Sequence, residues 1–207
     1  MEEIKNFVKQ ALRGRRDITV GLGSGSAAKM VAEELGFQAR MDGITIMGIP
    51  SSTQIAIAAS SAGFIMLSPS ELDRLDIVVD GADQLTEGGM IIKGGGGALG
   101  RERVLWEASD NVHVFIKKER MVKDLSLPLP VEFLPFSMYI LKKLIEKKGM
   151  HATLRTNEKG YPLVSENGNF LFDVSYKDAR QAYYDLRGLP GVLDVGLFIY
   201  DATVHLL

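Results

Sequence analysis

The chain has 207 residues, of which 46% are hydrophobic and 24% charged, with a formal net charge of −2 and no cysteine. That length can bury a substantial core. The near-neutral balance offers no basic face for nucleic acid, and the missing thiols exclude disulfides, thiolate metal sites and cysteine nucleophiles. The opening Met1-Glu2-Glu3-Ile4-Lys5 lacks the apolar run of a secretion signal and no segment has the roughly 18 apolar residues of a membrane span, which predicts a cytoplasmic protein without a membrane partner.

Residues 1–125 read as alternating strand and helix. Ile4, Phe7, Val8, Ala11 and Leu12 recur at helical spacing. Ile18 to Leu22 is a short apolar strand ending in a glycine-serine turn, and Ala27 to Leu35 is helical, stopped at Gly36. A strand over Ile44 to Ile49 and an alanine-rich helix over Gln54 to Ala62 follow, with Gly63 as its stop. Strands over Phe64 to Leu67 and Leu75 to Val79 follow, the latter flanked by a short acidic turn or helix, then a helix spans Ala98 to Ser109 and a strand Val112 to Ile116. Apolar strands alternating with helices predict a parallel sheet covered on both faces.

Beyond the hinge Leu127-Pro128-Leu129-Pro130 the pattern changes. Strands over Val131 to Leu134 and Ala152 to Arg155 bracket a helix over Tyr139 to Lys148. Two strands around the turn Glu166-Asn167-Gly168-Asn169, a helix over Lys177 to Leu186 and a strand over Val192 to Phe198 complete a ferredoxin-like β-α-β-β-α-β order. The expected fold is therefore α/β, with domains 1–127 plus 198–207 and 128–197.

The turn Gly21-Leu22-Gly23-Ser24-Gly25-Ser26 occupies the phosphate-loop position of a doubly wound sheet. Ser26 stands where the dinucleotide fingerprint needs its last glycine, and the Gly-Lys-Ser/Thr of a P-loop is missing, so nucleotide readings are set aside. What remains is either a merely tight turn or one whose amides and Ser24 and Ser26 hydroxyls hold a single anion.

The densest chemistry lies in Val79-Asp80-Gly81-Ala82-Asp83 and Ile92-Lys93-Gly94-Gly95-Gly96-Gly97-Ala98-Leu99-Gly100-Arg101-Glu102. Asp80 and Asp83 fall at the carboxyl end of a buried strand, the edge where open α/β sheets bind ligands. Two aspartates three apart also suit a divalent cation, but no histidine or third carboxylate stands at ligand spacing, and no metal is expected. Asp83 as a helix cap is the plainer alternative. The apolar Ile91-Ile92 run predicts delivery of Lys93 to the same rim. Consecutive glycine amides before a helix form an oxyanion-stabilising surface. Glu102, early in that helix, is the candidate base; pairing with Arg101 or Arg103 is the alternative. A carboxylate, a lysine and amide donors suit proton abstraction beside a carbonyl without any cofactor, the chemistry of aldose–ketose isomerisation.

With those residues in view, the chain resembles the type A ribose-5-phosphate isomerase family. Its Asp-Gly-Ala-Asp run, its Lys-Gly-Gly-Gly…Ala-Leu-x-Arg-Glu run and its first glycine-rich turn are matched by Asp80 to Asp83, Lys93 to Glu102 and Gly21 to Ser26. Leu129 to Glu132, Asn167 to Asn169 and Pro190 to Phe198 match further motifs. The resemblance implies interconversion of D-ribose 5-phosphate and D-ribulose 5-phosphate in the pentose phosphate pathway, without cofactor, by a homodimer or homotetramer. The implied fold is a Rossmann-like domain with a ferredoxin-like domain inserted before the last strand. Glu102 is the implied base, Lys93 and the amides of Gly94, Gly95 and Gly96 the enediolate stabilisers, and Asp80 and Asp83 the holders of the sugar hydroxyls. Ser24, Gly25, Ser26 and Ala27 are the implied phosphate turn, joined by Gly81, Ala82 and Arg120 in substrate binding.

The sequence departs from the family pattern at Ala27 (usually Thr), Gln84 (Glu), Gly100 (Ser or Thr), Arg120 (Lys) and Ser126 (Lys), and the family's N-terminal lysine has no aligned match, Lys5 and Lys9 being the candidates for its place. A second reading is a non-enzymatic sugar-phosphate sensor on the same fold, although the first 17 residues are too short for a helix-turn-helix. A third is a related isomerase, deaminase or coenzyme A transferase. His113, His151 and His205 read as structural, and Trp106 and the Tyr183-Tyr184 pair as packing residues.

Overall fold

Residues 1–71 and 74–207 are described by a computed structural model. In chain order the elements are α1 (Glu2–Leu12), β1 (Asp17–Leu22), α2 (Gly25–Asp42), β2 (Thr45–Pro50), α3 (Thr53–Ala62), β3 (Ile65–Met66) and β4 (Ile77–Gly81). Then come β5 (Gln84–Thr86), β6 (Met90–Ile92), α4 (Leu99–Glu107), β7 (Val112–Ile116), β8 (Met121–Val122) and β9 (Leu129–Phe133). The chain closes with α5 (Met138–Lys147), β10 (His151–Leu154), β11 (Phe170–Ser175), α6 (Ala179–Arg187), β12 (Val192–Val195), β13 (Leu197–Ile199) and β14 (Thr203–Leu206). The acidic turn expected before Leu75 falls partly on Leu72 and Asp73, outside the described residues. Among the described residues, no helix is long and apolar enough to cross a membrane.

The chain forms two units. The first comprises Met1–Ala82, Arg101–Arg120 and Asp201–Leu207. Its six strands are all parallel, in the order β14-β7-β4-β1-β2-β3. The chain order runs outward in both directions from the β1–β4 pair, which makes that pair the topological switch point. The strands are apolar because both faces are covered: Ile18, Val20 and Leu22 of β1, Val79 of β4 and Phe115 of β7 are all fully buried. Helix α1 packs its Ile4, Phe7, Val8 and Leu12 face inward, with Glu2 and Glu3 in its first turn and Lys9 in its last, as the helix dipole favours.

Helix α2 does not stop at Gly36. It runs through to a left-handed cap at Gly43 (φ 68°). Gly36 serves packing instead: a Cβ there would lie 2.4 Å from the Ala62 carbonyl oxygen of α3.

The second unit comprises Asp83–Gly100 and Met121–Tyr200. Its larger sheet, in the order β10-β11-β9-β12, is antiparallel throughout. With α5 and α6 it forms the expected ferredoxin-like β-α-β-β-α-β arrangement around Leu129, Val131, Phe133, Leu141, Ile145, Phe172 and Leu186. A smaller sheet runs β13-β6-β5-β8.

This smaller sheet moves the unit boundaries away from residues 127/128 and 197/198. Segment 83–100 and residues 121–127 join the second unit because β6 pairs with β13 and β5 with β8. The strand expected over Val192 to Phe198 is accordingly two strands. They divide at Gly196, where a Cβ would sit 2.2 Å from the Lys93 carbonyl oxygen. Ahead of Asn167-Gly168 the expected first strand is reduced to two isolated bridges, Pro162 to Thr156 and Val164 to Phe170.

Candidate active site

In the first unit, β1 and β4 are adjacent, so the turn after Leu22 and the end of β4 share the carboxyl edge at the switch point. Asp80 is fully buried there. Its Oδ1 accepts the Gly81 N–H at 2.7 Å and its Oδ2 accepts the Trp106 indole N–H at 2.8 Å. The carboxyl group fills the space a side chain at position 23 would need. A Cβ on Gly23 would lie 1.9 Å from Asp80 Cγ, so glycine is obligatory at that point.

Glu102 stands in the first turn of α4 and is 1% exposed. Its Oε1 accepts the Ser24 hydroxyl and, at 3.2 Å, the Ser24 amide. Ser24 precedes α2 in extended conformation, yet its side chain does not cap that helix, because the hydroxyl is directed to Glu102. Glu102 and Trp106 are four residues apart and share one helical face. That face thus engages both Ser24 and Asp80. Trp106 was expected to be packing alone; its hydrogen bond depends on the fold, and the four-residue spacing was the one signal available.

The rest of the expected phosphate turn is open. Gly25 and Ser26 are exposed at the start of α2, where Gly25 has φ +89°, and Ala27 is partly buried. Arg120 is exposed and donates from Nη1 to the Ala82 carbonyl at 3.0 Å, which leaves further guanidinium N–H groups facing outward.

In the second unit, Lys93 follows β6 in the small sheet and not a strand of the parallel sheet. Only 3% exposed, it carries Nζ 6.0 Å from the Phe198 ring centroid. Asp83 is partly exposed, and its Oδ2 accepts the Gly95 N–H at 2.8 Å. One of the three amides expected to face the substrate is therefore engaged internally. The N–H groups of Gly94 and Gly96 meet no acceptor among the described residues.

The run is shaped by close approach on several sides. A Cβ on Gly94 (φ +110°) would sit 3.0 Å from Pro130 Cβ, one on Gly95 2.8 Å from Asp83 Oδ1, and one on Gly100 2.9 Å from Glu132 Oε2. Glu132, fully buried, accepts three hydrogen bonds at Oε1, from Ser165, Asn167 and Asn169. The Leu-Pro-Val-Glu and Asn-Gly-Asn motifs are therefore one polar cluster. Two departures from the family pattern are likewise partners. Gln84 accepts the Ser126 and Leu127 amides at Oε1, at 2.9 and 3.0 Å, and donates to the Ser126 hydroxyl at 2.8 Å.

The profile of the family described as ribose 5-phosphate isomerase A (phosphoriboisomerase A) matches residues 47–207. The chain belongs to the ribose 5-phosphate isomerase A family. Ribose-5-phosphate isomerase A 1 of Oceanobacillus iheyensis is 37% identical to it over 199 residues, covering 94% of this chain and 88% of the relative. The ribose-5-phosphate isomerase A of Archaeoglobus fulgidus is 36% identical, covering 96% and 92%.

The solved structure of the family member from Methanocaldococcus jannaschii superposes with a TM-score of 0.89 at 28% identity, covering 99% of this chain and 94% of that one. A second solved D-ribose-5-phosphate isomerase, in complex with phospho-erythronic acid, superposes with a TM-score of 0.87 at 29% identity, again covering 99% and 94%. The family's α/β fold is the fold described above.

Proposed function

We propose that this chain interconverts D-ribose 5-phosphate and D-ribulose 5-phosphate through an enediolate. The observation that carries the reading is Glu102: in a chain of this family, a carboxylate on the opening turn of α4 is withdrawn from water and aimed by the Ser24 hydroxyl and amide. Glu102 removes the proton from C2 of the open-chain aldose and returns it to C1 while the hydroxyl proton passes from O2 to O1, so atoms and charge balance without any co-reactant. The Lys93 ammonium and the Gly94 and Gly96 amides receive the oxygen on which charge develops. Asp83 contacts the sugar hydroxyls and assists ring opening. Asp80, with both oxygens engaged, acts by fixing Gly81 and Trp106. The 5-phosphate lies at the opening of α2 beside Gly25 and Ser26, with Arg120 supplying charge. The reading extends to a cytoplasmic homodimer or homotetramer, as the resemblance implies.

The deciding experiment is turnover of ribose 5-phosphate in heavy water. Ketose carrying solvent hydrogen at C1 supports the reading, and no turnover at high enzyme concentration overturns it. Arabinose 5-phosphate and allose 6-phosphate, assayed alongside, define the sugar choice.

A further inference from the structure

We propose that Arg155 is a positioning residue for this isomerisation: it sets the direction of the glycine amides that receive the enediolate oxygen. The inference rests on the functional reading of Gly94 to Gly96 given above.

Arg155 follows β10, and its own amide is tied to the Leu171 carbonyl at 2.8 Å. One edge of its guanidinium grips Asp173 of β11, Nε on Oδ2 at 3.0 Å and Nη2 on Oδ1. Such two-point pairing fixes the plane of the group as well as its place. The free edge then reaches into the glycine run, where Nη1 donates to the Gly94 carbonyl at 2.6 Å and the Gly95 carbonyl at 3.3 Å.

Across a trans peptide, C=O and N–H point in opposite directions. Holding the Gly94 oxygen therefore directs the Gly95 N–H, and holding the Gly95 oxygen directs the Gly96 N–H. The first of these N–H groups meets Asp83 Oδ2. The second belongs to an exposed residue and has no acceptor among the described residues. Glycine peptides rotate with little steric resistance. Without a clamp, the Gly95–Gly96 peptide can turn its carbonyl lone pairs toward the developing oxyanion, which inverts the sign of the contact. Arg155 carries its charge next to that of Asp173, so its contribution is orientation at short range.

The test uses the full chain with Arg155→Met, Arg155→Lys and Asp173→Asn beside the wild type. kcat and KM for ribose 5-phosphate are measured, with inhibition by phospho-erythronic acid and by inorganic phosphate. Phospho-erythronic acid carries a carboxylate that stands in for the charged enediolate oxygens; phosphate probes only the other end of the substrate.

For Arg155→Met we expect kcat to fall about tenfold to hundredfold with KM within about threefold, below the roughly 10²- to 10³-fold loss of deleting an oxyanion donor because the amide is misdirected and not removed. Phospho-erythronic acid inhibition should weaken by a similar factor while phosphate inhibition stays unchanged. Arg155→Lys, which keeps charge but not the fork, should fall between Met and wild type. Should Arg155→Met not fold, Asp173→Asn decides: a kcat loss of about fivefold or more at constant KM is expected. kcat within twofold of wild type in the folded variants, or equal weakening of both inhibitors, overturns the positioning role. An inactive wild type would instead overturn the functional reading itself.

Discussion

The Ser24 hydroxyl donates to the Glu102 carboxylate, joining the turn after β1 to the first turn of α4. A serine expected in the phosphate turn thus meets the proposed base. Changing Glu102→Gln keeps the shape and removes the proton acceptor. We expect kcat to fall about 10²- to 10⁴-fold, the range attributed to a general base, with binding of phospho-erythronic acid within a few-fold of wild type. Steady-state kinetics and titration calorimetry separate the two. Near wild-type turnover in this variant would refute the base assignment.

Trp106→Phe retains the ring bulk and removes the donor to Asp80 Oδ2. Leaving a fully buried carboxylate short of a partner should lower stability by about 1–3 kcal/mol, read as a shift in the urea midpoint. Because Asp80 also fixes the Gly81 amide, kcat should fall with it. An unchanged midpoint would show that the indole N–H contributes nothing to holding Asp80.

Gly36→Ala tests packing against propensity. Alanine gains about 0.5–1 kcal/mol of helix propensity over glycine. The added Cβ, however, meets the Ala62 oxygen at 2.4 Å and the Ala62 Cβ at 2.7 Å, and overpacking of this kind costs about 1–3 kcal/mol. The packing term wins, so we expect a lower melting temperature. A stabilised variant would mean that α2 and α3 separate more easily than their spacing indicates.

Acid sensitivity should centre on β7 and β14. His113 Nδ1 lies 3.1 Å from His205 Nε2, and His205 Nδ1 lies 2.8 Å from Glu3 Oε1, with the Phe7 and Phe115 rings against the pair. Burial, and then the charge of His205, lower the His113 pKa from 6.5 to about 4. The native state therefore keeps His113 neutral where the unfolded chain takes up a proton. Its contribution is complete above pH 6.5 and is lost as pH falls toward 4.

Asp76 acts in a lower window. Burial alone would raise its pKa, but the Thr19 amide and hydroxyl and Arg15 outweigh this and hold it below 3.8, so its contribution fades only under more acid conditions. Melting curves from pH 7 to 4.5 should show a decline that His113→Phe flattens. An equal decline in both proteins would remove His113 as its source.

Local pattern was enough to read the alternating strands and helices, the ferredoxin-like order after the proline hinge, and the helix ends at Gly63. It misjudged Gly36 because a glycine that ends a helix and one that admits a neighbouring backbone look alike until the neighbour is placed. It did not separate β12 from β13, since the partner strands β9 and β6 lie far away along the chain. The two histidines, read as merely structural, turn out to be paired because β7 and β14 are adjacent in register, His113 two residues from the partner of His205.

The identities of Asp80, Asp83, Lys93 and Glu102, and the bare backbone of Gly94 to Gly97, are matters of composition and spacing, and they suit proton transfer beside a carbonyl. Which oxygen each N–H or O–H meets is a different kind of fact. Ser24 on Glu102, Trp106 on Asp80 and Arg155 on the glycine carbonyls join residues separated by tens of positions. Such contacts exist only where the folded backbone brings a donor within about 3 Å of an acceptor at a suitable angle, and hydrophobic periodicity records burial but not that geometry.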